Sequence, residues 1–178
     1  MGTITLTGKT RGTTRLTVKA GGITTDTPVT VRSRNLLSYG PGTGDGLTAT
    51  VNPDGSLHVT GSVAERHHGL EWAVTVPDGL KGKTVTYSSV WADNAGLYSY
   101  VTFDLASGGH PPILTGGKSA PIPEDATHIV LRLLAGDNYT PDTPVDLPSF
   151  KPILNLGGTP AEWMRPDNVE AIGGGMSR

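Results

Sequence analysis

Residues 46–63 constrain the fold more than any other stretch. Leu47, Ala49 and Val51 alternate with Thr48 and Thr50. Asn52-Pro53-Asp54-Gly55 follows, and then Leu57, Val59, Gly61 and Val63 alternate with Ser56, His58, Thr60 and Ser62. Proline at the second turn position presets φ, aspartate bonds its own backbone, and glycine accepts positive φ at the exit. Two period-2 runs joined by such a turn predict a β-hairpin with one apolar and one polar face. The apolar face of Leu47, Ala49, Val51, Leu57 and Val59 then needs a second layer to cover it.

The rest of the chain reads as that layer. Leu70, Trp72, Val74 and Val76 alternate with Glu71, Ala73 and Thr75. Residues 84–92 put Val85, Tyr87, Ser89 and Trp91 on one face. Residues 97–105 put Leu97, Val101, Phe103 and Leu105 on one face and Tyr98, Tyr100, Thr102 and Asp104 on the other. Residues 128–135 point Ile129, Leu131 and Leu133 inward and His128 and Arg132 outward. A last strand falls near Phe150 to Leu156. Pro77-Asp78-Gly79 and Asp93-Asn94-Ala95-Gly96 are turns, and residues 40–46, 106–123 and 136–148 are expected as loops. No segment shows a convincing 3.6-residue period. About seven or eight short strands with turn signals between them predict an all-β fold, a jelly-roll or β-sandwich body.

Composition sharpens the domain picture. Gly 25 and Pro 14 in 178 residues, with only 17% charged residues, fit a β protein with many tight turns. Residues 1–34 form a Thr-rich β N-terminal arm. In it Ile4 and Leu6, Leu16 and Val18, and Val29 and Val31 alternate with threonines and Lys19, and Gly8, Gly12 and Gly21-Gly22 break the runs. An isolated hairpin is marginal in water, so the arm is expected to add to a sheet of the body or of a partner. It carries Lys9, Arg11, Arg15, Lys19, Arg32 and Arg34 against Asp26 alone, a charge of +5, which leaves −7 on the remainder of a chain of net −2. Such asymmetry suggests an arm and a body with different partners. The arm has no aromatic residue for base stacking, so nucleic acid is not expected. Residues 35–167 are the body, and residues 168–178, with Gly173-Gly174-Gly175, are expected to be a flexible tail.

Several chemistries find no support in the residues. There is no cysteine, hence no disulfide framework and no thiolate metal site. No apolar run reaches the roughly 20 residues of a membrane helix, and the N-terminus has no secretory h-region, so neither membrane insertion nor secretion is expected. Gly40-Pro41-Gly42-Thr43-Gly44-Asp45-Gly46 lacks the Lys-Ser/Thr and the following helix of a phosphate loop. Neither a Gly-x-Ser-x-Gly elbow nor a His-Glu-x-x-His motif is present, so no catalytic residues are expected. His67 and His68 are neighbours, which on a strand would face opposite ways and not form a metal pair. A structural calcium near Asp93-Asn94 or Asp137-Asn138 stays open, without EF-hand spacing, and no other cofactor is expected.

The order of motifs along the body carries a resemblance. Asn35-Leu36-Leu37 is followed by VNPDGSLHVTG at residues 51–61, LKGKTVTYS at 80–88, IPEDATHI at 122–129, KPILNLG at 151–157, and Trp163. The closing strand, glycine and tryptophan are the most specific part. Over residues 35–167 this resembles the carbohydrate-binding-module-like jelly-roll domain of phage and prophage minor tail and receptor-binding proteins. The resemblance implies a virion structural protein, at the tail rather than the capsid. The arm would contact other virion proteins, a host cell-surface glycan would be the ligand, several copies would associate, and Trp163 would be a packing residue. A capsid decoration protein that binds no sugar is the alternative.

Sugar binding needs an exposed aromatic plane with amide, carboxylate or imidazole groups at its border. Trp72 and Trp91 share the apolar faces of their strands and are expected in the core. Tyr98 and Tyr100 fall on the polar face of theirs and are the candidate platform. His67, His68, Asp93 and Asn94 lie in loops that would border it, and Tyr139, between Asn138 and Thr140, is a further candidate.

Overall fold

The computed structural model describes residues 11–91, 96–109 and 111–175. Contacts divide the chain into two compact units, Met1–Ser33 and Arg34–Arg178. In the first, β1 (Gly12–Ala20) pairs antiparallel with β2 (Ile23–Val31). Gly21 and Gly22, at φ +55° and +83°, supply the two positive-φ positions that a two-residue turn of matching twist requires. Period-2 alternation gives the ribbon two unlike faces. Thr14, Leu16, Val18, Ala20, Ile23 and Val29 share the uncharged one. Arg15, Lys19 and Asp26 lie on the other, where Arg15 pairs with Asp26 at 3.7 Å and the Thr17 hydroxyl donates to Asp26 at 2.6 Å. Val18 and Ile23 remain 43% and 72% exposed.

The second unit holds β3 (Gly42–Gly44), β4 (Leu47–Val51), β5 (Leu57–Gly61), β6 (Gly69–Thr75), β7 (Thr84–Val90) and β8 (Leu97–Leu105). It continues with β9 (Ser119–Pro121), β10 (Ala126–Ala135), β11 (Val145–Leu156) and β12 (Gly173–Gly175). They form one curled sheet in the order β8-β10-β6-β12-β3-β4-β5-β11-β7-β9. The fold is all-β, as predicted, and no helix among the described residues is long and apolar enough to cross a membrane. β11 turns the corner of the sandwich. Its first half pairs with β5, the register breaks between Leu147 and Phe150, and Lys151–Leu156 pairs with β7. The break falls at Pro148-Ser149, where proline cannot continue a ladder.

The loop after β8 seals the two layers. Leu114 exchanges both backbone hydrogen bonds with Val101 of β8, at 3.0 and 2.8 Å. A few residues on, Gly117 N–H donates to Tyr87 O of β7 and Tyr87 N–H donates to Lys118 O. The Tyr87 hydroxyl then donates to Ser99 Oγ at 2.6 Å across the interior. Between the layers lie Leu47, Leu57, Val59, Trp72, Phe103 and Phe150, each no more than 1% exposed.

The β4–β5 hairpin has the expected register, with Ala49 opposite Val59 and Val51 opposite Leu57. Its turn is held by Gly55 N–H to Asn52 O and by Asp54 Oδ1, which accepts from both the backbone N–H and the hydroxyl of Ser56. Those bonds first, then Lys151 at 3.1 Å, hold the Asp54 carboxyl down at about 2. Gly55 is buried, because the Arg165 side chain lies across it.

Two all-glycine or glycine-flanked segments depart from expectation. Residues 42–44, expected within a loop, form β3. Residues 173–175, expected in a loose tail, form β12 in the middle of the sheet, parallel to β3 and antiparallel to β6. Both strands are possible because the backbones approach so closely. A Cβ on Gly173 would lie 2.3 Å from Trp72 Nε1, and one on Gly44 would lie 2.0 Å from Gly175 N.

Candidate functional site

The outward face of β8 carries the residues that the alternation singles out. Its register sets Tyr100 opposite Arg132 of β10, and Arg132 opposite Glu71 of β6. Arg132 Nε donates to Glu71 at 3.1 Å and its Nη1 to the Tyr100 hydroxyl at 3.3 Å. Tyr98 and Tyr100, two residues apart and so on one side of the strand, stack with ring centroids 5.8 Å apart and planes 20° apart. The Arg132 guanidinium lies 5.9 Å from the other ring, Tyr100. Tyr100 is therefore only 8% exposed. It is not an open platform. It is the support for Tyr98, which stays partly exposed.

Beside Tyr98 the loops build a pocket of about 500 Å3, lined by His67, Tyr98, Asp137 and Asn138 with Gly96, Leu97 and Gly136. His67 is held at φ +63°, a region few residues other than glycine adopt. Its N–H donates to Ala135 O while Ala135 N–H donates to His68 O, so the end of β10 fixes this conformation. The strained backbone aims the ring at the pocket. Nε2 lies 3.1 Å from Asp137 Oδ1, Nδ1 lies 3.5 Å from the Tyr98 hydroxyl, and the two rings meet nearly edge to face at 78°. With its proton on Nε2 the imidazole donates to Asp137 and accepts weakly from Tyr98. Partial burial first, and then Tyr100 and Asp137, push the Tyr98 phenol above its usual range, against the opposing pull of Arg132. It stays a neutral donor and acceptor at neutral pH.

Glycine suits the point where the loops close on the ring. Gly136 N–H donates to Gly96 O at 3.0 Å, and a Cβ on Gly136 would press on that oxygen at 3.0 Å and on Tyr98 Cδ1 at 3.3 Å.

Tyr139, expected as an exposed loop candidate, is instead buried. It is 1% exposed; its hydroxyl donates to Thr143 O at 2.6 Å and accepts from Val63 N–H at 2.9 Å. The Arg66 Nε donates to its carbonyl. It pins the loop that presents Asp137 and Asn138. His68 is turned away from the pocket of His67. Asp45 stands 3.5 Å from its Nδ1 and Glu65 3.4 Å from its Nε2, beside a smaller cleft of about 200 Å3. Asp93 and Asn94 lie outside the described residues. Asp137 and Asn138, considered in sequence only for calcium, are the polar border of the pocket. Among the described residues no group of three or more His, Cys, Asp or Glu is arranged to hold a metal ion.

The tryptophans lie elsewhere. Trp72 is buried with its Nε1 donating to Gly40 O, and Trp91 stacks on Phe150 at 4.9 Å. Trp163 is partly exposed under the Lys151 ammonium, 5.0 Å from its ring centre.

No family model and no curated protein matches the chain. A solved structure that it resembles is that of accessory secretory protein 1, 2 and 3 of Streptococcus pneumoniae, at 17% identity and a TM-score of 0.43, over 63% of this chain and 86% of that one. A likeness at that level carries no functional argument.

Proposed function

We propose that this chain is a virion structural protein, a minor tail or tail-tip component of a phage, whose β-sandwich holds a host-surface glycan and whose N-terminal arm attaches it to the particle. The observation that carries the binding half is the pocket beside Tyr98. There a partly exposed aromatic ring, an imidazole, a carboxylate and an amide meet on the solvent side of a rigid sheet. Aromatic faces stack against sugar C–H groups, and planar polar side chains order hydroxyls; a small set of placed polar groups around an apolar wall is how such sites gain specificity. The role is binding, with no bond made or broken. The tail assignment draws on the order of motifs from Asn35 to Trp163. The arm assignment draws on a β-ribbon with an uncharged face on which Ile23 is 72% exposed.

A single site of this size gives about millimolar to micromolar affinity, some −4 to −8 kcal/mol, and several copies on one particle raise the effective affinity. A glycan array probed with the protein, followed by immunogold labelling of particles, tests both halves. The reading expects a restricted set of bound glycans and label at the tail. Label spread over the head with no bound glycan supports the second reading, a capsid decoration protein. That reading has its own observation, the 8% exposure of Tyr100, which makes part of this face sheet packing.

A further inference from the structure

Tyr98 lines one pocket and Tyr100 another. On the far side of the tyrosine pair a second pocket of about 500 Å3 opens, where Tyr100, Thr102 and Asp104 of β8 meet Arg132 of β10 and Ile113 of the returning loop. Its wall is fixed. The Thr102 hydroxyl donates to Pro112 O at 3.3 Å, and Leu114 is bonded to Val101 on both sides of its peptide. Ile113 is 57% exposed at its rim, an apolar surface beside polar groups. The two pockets have matching furniture: each has one tyrosine of the stacked pair and one carboxylate, Asp137 in the first and Asp104 in the second.

Charge narrows the ligand. Arg132 is committed to Glu71 at 3.1 Å, so it offers hydrogen bonds without a net positive field. The carboxylates at the two ends, Asp104 with His128 at 3.6 Å and Asp137 with His67 at 3.1 Å, are 53% and 87% exposed. They accept bonds from hydroxyl groups and repel anions. Length narrows it further. Tyr98 to Asp104 spans six residues of extended strand, about 20 Å, which is several pyranose rings.

We propose that the ligand is a neutral oligosaccharide laid along β8. One end lies in the pocket of His67, Tyr98, Asp137 and Asn138, its middle crosses the tyrosine pair, and its other end lies against Thr102, Asp104 and Ile113. This rests on the glycan reading above and adds to it a second subsite, a minimum chain length and a charge preference.

Isothermal titration of the full chain with neutral gluco-, galacto- and manno-oligosaccharides from one to six units, and with uronic acid chains of the same lengths, tests it. Affinity should rise about tenfold or more from the disaccharide to the tetra- or pentasaccharide of the bound series and then level off, because the second pocket binds at the high effective concentration set by the first. Uronic acid chains should bind more weakly at every length. Asp104→Asn and Ile113→Ser should each bring the long chain down to the affinity of the disaccharide and leave the disaccharide itself unaffected. Equal affinity for short and long chains, or long-chain binding unchanged in both variants, would overturn the two-pocket ligand while leaving the glycan reading in place. Tighter binding of the uronic acid chains would overturn the charge preference. If no probe binds the parent at millimolar concentration, the glycan reading itself falls.

Discussion

Tyr139 shows how a buried side chain governs an exposed site. Its hydroxyl joins Val63 N–H to Thr143 O, and the loop it anchors carries Asp137 and Asn138 into the pocket. Tyr139→Phe leaves the ring volume and strips both bonds, so a buried N–H loses its partner. This should cost about 1–3 kcal/mol of stability and should weaken glycan binding without touching the ligand, read as a lower melting temperature together with a lower titration affinity. Sequence parity placed Tyr98 and Tyr100 on the right side of β8, yet it gave no warning that they would stack on each other. Nor could it show that Tyr139 turns inward, because loop residues have no period from which burial can be read. Asp54 is a second residue-scale case. Its carboxyl is held near 2 in the folded protein by Ser56, below the value of about 3.9 in an unfolded chain. The unfolded state therefore binds more protons between those values, and stability rises with pH through that window. The contribution is fully present above about pH 4 and is lost as pH falls toward 2. Asp54→Asn should flatten the acid limb of a thermal denaturation series between those pH values; an unchanged limb would show that Ser56 does not hold the carboxylate.

At the scale of elements, legibility follows side chains. The β4–β5 hairpin and β6 were readable because one face is buried and one largely is not, which writes a period of two into the sequence. In β8 and β10 apolar and polar residues still alternate in part, although both faces are largely buried. β3 and β12 were not readable because Gly42–Gly44 and Gly173–Gly175 have almost no side chains to alternate. Their requirement is closeness of backbones, a tertiary fact. Gly173→Val would drive a side chain into the Trp72 indole and should destabilise the body by at least the 1–3 kcal/mol of an overpacked core, seen as a fall in the denaturation midpoint. An unchanged midpoint would mean that β12 is not seated in the sheet. The arm makes a different demand. Ala20 and Ile23 flank the turn as a bonded pair, and bonded pairs alternate, so Arg15 and Pro28 fall at a pair without ladder bonds. The N–H that Pro28 lacks belongs to the outer edge of β2, which blunts that edge, while β1 has no such block. Strand addition should therefore occur at β1. The full chain should associate in light scattering, and a chain lacking residues 1–33 should melt like the parent and stay monomeric. Failure of the shortened chain to fold would make the ribbon part of the body's stability instead.

At the scale of the whole molecule, charge and curvature divide the work. The ribbon-bearing segment carries +5 through residue 34 and the remainder −7, so the first would attract an acidic partner and the second would repel anions. The curled sheet is closed by the segment from Leu114 to Lys118, which is hydrogen-bonded to β8 at Val101 and to β7 at Tyr87. The fold class was legible because alternation recurs along the body. Of the candidate pocket, Tyr98 and His67 were legible in the sequence, whereas the part played by Asp137 and Asn138 was not, since their loop meets the other residues only in space. The account stands or falls on the unlike roles of the two tyrosines. Titration of the bound glycan into the parent, Tyr98→Ala and Tyr100→Ala, with the melting temperature of each, separates those roles. The account predicts that Tyr98→Ala loses binding with little change in melting temperature, and that Tyr100→Ala loses about 2–4 kcal/mol of stability as a largely buried ring is cut away. Full-strength binding by a folded Tyr98→Ala protein would contradict it.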